Sequence, residues 1–170
     1  MAGKRQLSPE QVDTFQRDGF LVVENFFPSD ELETFGAAID DAVSGRSSSD
    51  QRPLAEKSLY EQSFIQCINL WEDALAVRQH TFNPELGRMA ADLLGAEAVR
   101  IWHDQALYKE AGGRKTDAHQ DRPFWPIAPA DQVTAWIPFD GSRRGTGAMG
   151  YLPGSHRAGL ERFVDISHVF

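Results

Sequence analysis

Two residues stand out for the chemistry they can share: His119 and Asp121, separated by Gln120. In a strand, successive side chains alternate faces, so this spacing predicts an imidazole and a carboxylate side by side. Neutral imidazole and ionised carboxylate are both available at neutral pH. Together they supply two of the three ligands of a 2-His-1-carboxylate triad, which leaves positions open on a non-haem Fe(II). The tripeptide also reads as a solvated polar pair at a strand end, because five histidines and 25 acidic residues make a chance His-x-Asp an ordinary occurrence.

The elements that must position this pair begin with a helix start. Ser8 is the expected N-cap, Pro9 suits the first helical position and Gln11 completes a capping box. This helix runs through Val12 and Phe15 to Gly19, and residues 20–24 read as a short strand. Ser29 is expected to cap a second helix with Leu32, Phe35, Ile39 and Val43 on one core-facing stripe. Residues 45–53 are a loop by composition. Residues 58–80 are expected to be mostly helical, with Phe64, Ile65, Ile68 and Leu70 apolar and a second stretch from Trp71 through Leu75 and Val77. Asn83 and Pro84 open a further helix that buries Leu86, Met89, Leu93 and Leu94 and ends at Gly95.

From Val99 the period changes to two. Val99, Ile101, His103, Gln105, Leu107 and Lys109 share one strand face; Arg100, Trp102, Asp104, Ala106 and Tyr108 share the other. Helices followed by strands predict an α+β protein whose β portion is a sandwich or barrel.

Length and composition bound the function. A chain of 170 residues is one domain by default and long enough for a real core. A net charge of −8 argues against a nucleic-acid surface, which wants clustered Lys and Arg. The single Cys67 makes no intramolecular disulfide. The basic start is followed by no apolar h-region, and the longest apolar patch, residues 20–23, is far too short to span a bilayer. A cytoplasmic protein is the expectation.

The segment after Asp121 carries further motifs in order. Phe124-Trp125-Pro126 precedes a strand expected over 133–140, containing Thr134-Ala135-Trp136-Ile137-Pro138-Phe139-Asp140. A Gly-rich turn and Gly150-Tyr151-Leu152-Pro153-Gly154-Ser155-His156-Arg157 follow. This ordered set resembles the phytanoyl-CoA dioxygenase family of Fe(II)/2-oxoglutarate oxygenases. The amino-terminal pattern of helix, Asp18-Gly19-Phe20 strand, then a helix after Phe27-Pro28 is similar to that family as well.

The resemblance implies N-terminal helices packed on a double-stranded β-helix, the jelly roll of cupin-like oxygenases. It implies Fe(II) bound by His119 and Asp121, 2-oxoglutarate as co-substrate, and O2-dependent hydroxylation of an aliphatic C–H in a small apolar or acyl-type substrate. Lys109 is similar to the lysine that helps hold 2-oxoglutarate, and Trp136 matches a tryptophan lining the co-substrate pocket; each also reads without the resemblance as surface lysine and core aromatic. Gln105 shares the Lys109 face and offers a donor. Phe124 and Trp125 suit either a substrate-docking wall or core packing. A carboxylate at position 121 argues against halogenation, which needs that coordination position for halide.

The four other histidines are weaker metal candidates, although His156 is tempting as a third ligand. The Pro153-to-His156 turn is a structural hallmark near the site in the resembled family, His103 is expected as a hydrogen-bonded barrel residue and His80 as a surface or cap residue, and His168 is little better as a ligand than His156. After Asp121 only 49 residues follow, where an eight-stranded roll needs roughly twice that. The expectation is therefore a single incomplete domain, 1–170, with residues 1–97 mainly helical and 98–170 holding the first strands. The distal His and a 2-oxoglutarate-binding Arg would lie on strands beyond Phe170. The apolar end at Val169 and Phe170 reads as an interrupted sequence, and unpaired strand edges would invite self-association. Two alternatives stay open: a catalytically inactive truncated relative that acts as a binding protein, and a cupin-type metalloenzyme that needs no 2-oxoglutarate.

Overall fold

Ser8 caps α1 (Pro9–Asp18) as expected: its side chain accepts from the Gln11 N–H while the Gln11 side chain accepts from the Ser8 N–H, and Gly19 ends the helix at φ +82°. The computed structural model describes residues 6–58, 61–109, 115–127 and 131–160. Four helices and a two-stranded sheet follow one another there, joined by short 3₁₀ turns: α1, α2 (Ser29–Ser47), β1 (Ile65–Ile68), α3 (Leu75–Thr81), α4 (Pro84–Leu94) and β2 (Gln105–Tyr108). The class is α+β.

Two apolar clusters hold the described residues together. In the first, Ile39 and Val43 of α2 meet Cys67 of β1, Leu70 of the following turn and Val77 of α3, with Ala106, Tyr108 and Phe139 packed against them. The second gathers Leu7, Met89 and Leu93, with Val12 and Phe15 of α1 and Leu21, Val23 and Phe26 beside them. The stripes read for α2 and α4 are thus core contacts. Asn83 caps α4 by accepting from the Glu85 and Leu86 N–H groups, and Gly95 ends it in the left-handed region.

Several expectations are corrected. Residues 20–24 form no strand: Leu21 and Val23 are used for burial in the second cluster instead of pairing. Pro28, not Ser29, precedes α2, and no side chain caps it. Asp30 and Glu31 in the first turn complement the helix dipole there. The loop expected over 45–53 begins later, because α2 continues through Gly45 and Arg46. Arg46 donates to the carbonyls of Ile68 and Asn69 and pairs with Asp73 at 2.6 Å.

Residues 58–80 are not mostly helical. Their short apolar run finds a distant partner: β1 pairs antiparallel with β2, Cys67 opposite Ala106 and Ile65 opposite Tyr108. A run of four apolar-rich residues has no period that separates strand from helix, so only the partner decides. On β2 the alternation holds, with Ala106 and Tyr108 turned to the first cluster and Gln105 and Leu107 exposed. The ladder covers only Gln105–Tyr108 of the strand expected over 99–109, and residues 133–140 pair with nothing among the described residues. His80 is buried rather than at the surface, ringed by Phe27, Phe35 and Phe139 at 5.0, 4.6 and 5.4 Å.

Candidate metal centre

His119 and Asp121 do come together, but not on a strand. Residues 119 and 120 are irregular, and Asp121 takes helical angles (φ −69°, ψ −35°) as the residue preceding the 3₁₀ turn Arg122–Phe124. The Phe124 N–H donates to the Asp121 carbonyl at 2.9 Å and the Trp125 N–H to the Arg122 carbonyl at 3.2 Å. The physical reason is local. Pro123 has its φ preset for the first turn of a helix, and Asp before it suits a helix start. A strand there would need a partner ladder, and none exists among the described residues. Asp121 followed by Pro123 was the signal for this turn.

The bend brings His119 Nε2 to 3.1 Å from Asp121 Oδ1. On the other side of the ring, Nδ1 donates to the Asp117 carbonyl at 2.7 Å. Phe124 meets the imidazole edge-on at 6.1 Å. Both ring nitrogens thus face acceptors. The hydrogen bond to Asp121 is the main influence raising His119 above its usual value; burial opposes it, and the Asp117 carbonyl adds to it.

This donor set fits a divalent cation. A proton held on Nδ1 by a backbone carbonyl leaves the Nε2 lone pair for a metal, the tautomer control typical of ligating histidines. Adjacent donors on a cation with bonds of about 2.1 Å stand roughly 3 Å apart, close to the separation observed. A metal at Nε2 would take the place of the proton that Asp121 otherwise favours. Among the described residues no third His, Cys, Asp or Glu completes a cluster.

The remaining sequence candidates take other places. Lys109 runs its stem across Gly147, where an added Cβ would lie 2.7 Å from Lys109 Cδ, and its ammonium sits 6.0 Å from the Phe64 ring. Trp136 is exposed. The hydrogen bonds that define the His119–Asp121 pair run to neither of them. Gln105 accepts from Gln66 across the sheet at 2.9 Å. His103 packs on Trp125 at 5.9 Å. His156 turns away to α1, donating from Nε2 to the Gln16 carbonyl at 3.1 Å. His168 lies outside the described residues. Sequence reasoning passed over Gln120, which donates to the Gly159 carbonyl at 2.8 Å, and Tyr151, which stacks on Phe20 at 5.0 Å. Neither contact has a local sequence signal.

Comparison with known proteins agrees with the family resemblance. The sequence model of the phytanoyl-CoA dioxygenase (PhyH) family matches residues 15–166. Phytanoyl-CoA dioxygenase domain-containing protein 1 of Bos taurus is 26% identical over 197 aligned positions, taking in 92% of this chain and 68% of that protein. Phytanoyl-CoA dioxygenase of Arabidopsis thaliana is 24% identical, with 92% and 67% covered. Peroxisomal phytanoyl-CoA dioxygenase of Homo sapiens is 25% identical over 91% of this chain and 49% of its own length. The 197 positions aligned with the Bos taurus protein exceed the 170 residues here, so that relative carries residues within the aligned stretch that this chain lacks. No solved structure matches. With a match that spans nearly the whole sequence and takes in the His119–Asp121 bend, the chain belongs to the phytanoyl-CoA dioxygenase (PhyH) family.

Proposed function

We propose that this chain is a non-haem Fe(II)- and 2-oxoglutarate-dependent dioxygenase that hydroxylates an aliphatic C–H bond of a small apolar or acyl-type substrate. The observation that carries this reading is His119 Nε2 facing Asp121 Oδ1 at 3.1 Å, in a family whose members are generally Fe(II)/2-oxoglutarate oxygenases. When bound, iron with 2-oxoglutarate and O2 supplies the oxidising power, the co-substrate leaving as succinate and CO2.

The chain's own residues hold and orient. His119 and Asp121 bind the metal, and the Asp117 carbonyl fixes the ring so that Nε2 faces it. Lys109 offers its ammonium to the distal carboxylate of 2-oxoglutarate, and Trp136 lines that pocket. Phe124 and Trp125, flanking the ligand turn, form an apolar wall for substrate. Asp121 occupies the position a halide would need, which favours hydroxylation. Strand β2, paired with β1 from the otherwise mainly helical residues 1–97, belongs to a double-stranded β-helix whose further strands lie in residues 98–170.

A second reading is a non-catalytic binding protein on the same scaffold. It is favoured by one observation: two donors, not three, converge among the described residues. Succinate formation from 2-oxoglutarate by the purified protein with Fe(II) separates the two. Turnover abolished by both His119→Ala and Asp121→Ala supports the dioxygenase. Metal binding that depends on both residues, without turnover, overturns it in favour of the binding protein. Turnover indifferent to both overturns the site.

A further inference from the structure

We propose that the turn Ser155–Ala158 is a strut that fixes the His119–Asp121 bend against the C-terminal end of α1, with His156 and Gln120 as positioning residues. This rests on the reading of that bend as the metal site.

The strut begins where α1 leaves carbonyls without intrahelical partners, as every helix end does. Two of these are taken by one turn. The Gly154 N–H donates to the Asp18 carbonyl at 2.8 Å, and His156 Nε2 donates to the Gln16 carbonyl at 3.1 Å. A carbonyl only accepts, so Nε2 carries the proton. The ring lies so close to the helix end that a Cβ on Gly19 would stand 2.3 Å from His156 Nδ1, and Gly19 itself is at φ +82°. Only glycine satisfies both conditions.

From there one hydrogen bond reaches the bend, and one aromatic stack reinforces the α1 side. Gly159, which ends the turn, accepts from Gln120 Nε2 at 2.8 Å, and Gln120 is the residue between the two proposed ligands. Just before the turn, Tyr151 stacks on Phe20 at 5.0 Å with the rings 14° from parallel. The path from helix end to ligand pair therefore runs through hydrogen bonds. It also explains why a histidine stands in this turn without aiming at the metal pair.

The test uses the whole chain and two readouts. One is hydrogen exchange at the Phe124 and Trp125 amides, which bond inside the turn that Asp121 begins. The other is titration with Co(II) as a probe metal. His156→Leu removes the donor, His156→Gln restores an Nε2 donor, Gln120→Leu cuts the second link, and Arg46→Ala serves as a control that destabilises the fold elsewhere. The expected result is exchange about tenfold faster and Co(II) affinity about tenfold weaker in His156→Leu and Gln120→Leu, the usual scale for support groups behind ligands. His156→Gln should recover both to within about threefold of wild type. Unchanged exchange in His156→Leu overturns the strut, as does equal acceleration in Arg46→Ala. Accelerated exchange in a protein that takes up no Co(II) at all supports the strut and removes the metal reading instead.

Discussion

The first 97 residues and the remainder keep their apolar side chains in different places. Both clusters of buried residues, from Leu7 to Leu93, lie in the first region. Beyond it, no described residue is fully buried, and Trp102, Met149, Tyr151, Leu152 and Leu160 are among the large side chains left exposed. The difference follows from how each region satisfies its backbone. A helix closes its hydrogen bonds within itself and needs only one apolar face covered, whereas a strand needs a partner that is remote in sequence. The second region accordingly gains its order by docking on the first. Phe139 lies against Gly36 and His80, Tyr108 donates to Asp40, and the Ser155–Ala158 turn sits on α1.

That contrast can be broken by substitution. Leu70 is 2% exposed at the centre of the first cluster, and Leu70→Ala should cost about 2–5 kcal/mol in a denaturant titration. A loss below about 1 kcal/mol would mean the helical region is not the core. Arg46→Ala frees two carbonyls and Asp73 at the junction of α2 with the β1 end; a loss of about 1–3 kcal/mol in the same titration is expected. Ser8→Ala removes one half of the capping box on α1, an effect of about 1 kcal/mol on thermal or denaturant unfolding.

His80 sharpens the comparison through pH. Burial among aromatic rings pushes it below its usual 6.5, with Asp104 opposing the shift. The unfolded chain therefore binds a proton that the folded chain resists, and stability falls as pH drops below about 6.5 towards the lowered folded value. Unfolding midpoints measured from pH 7 downwards should decline less steeply in His80→Phe. At the other end of the scale, Leu152 is 74% exposed, and Leu152→Ala should stay within about 0.5 kcal/mol of wild type. A large loss there would show that the second region has an interior of its own in solution.

The sequence by itself determined α1, α4 and the core stripe of α2, and it marked His119 and Asp121 as a pair. Caps at Ser8 and Asn83, stops at Gly19 and Gly95, and the α2 stripe through Ile39 and Val43 are written in neighbouring residues, because helix signals act over a few positions. His119 and Asp121 were legible as a pair from type and spacing, and the order of motifs around them identified the family. What brings the pair together was not the expected strand but a turn begun by Asp121 and Pro123. Tertiary structure alone decided that residues 65–68 are a strand, that 20–24 are not, and that His80 is buried. It also decided that His156 faces α1 and that Gln120 reaches Gly159. Each of these depends on a partner tens of residues away, and no local preference carries information about a partner that only the folded chain supplies.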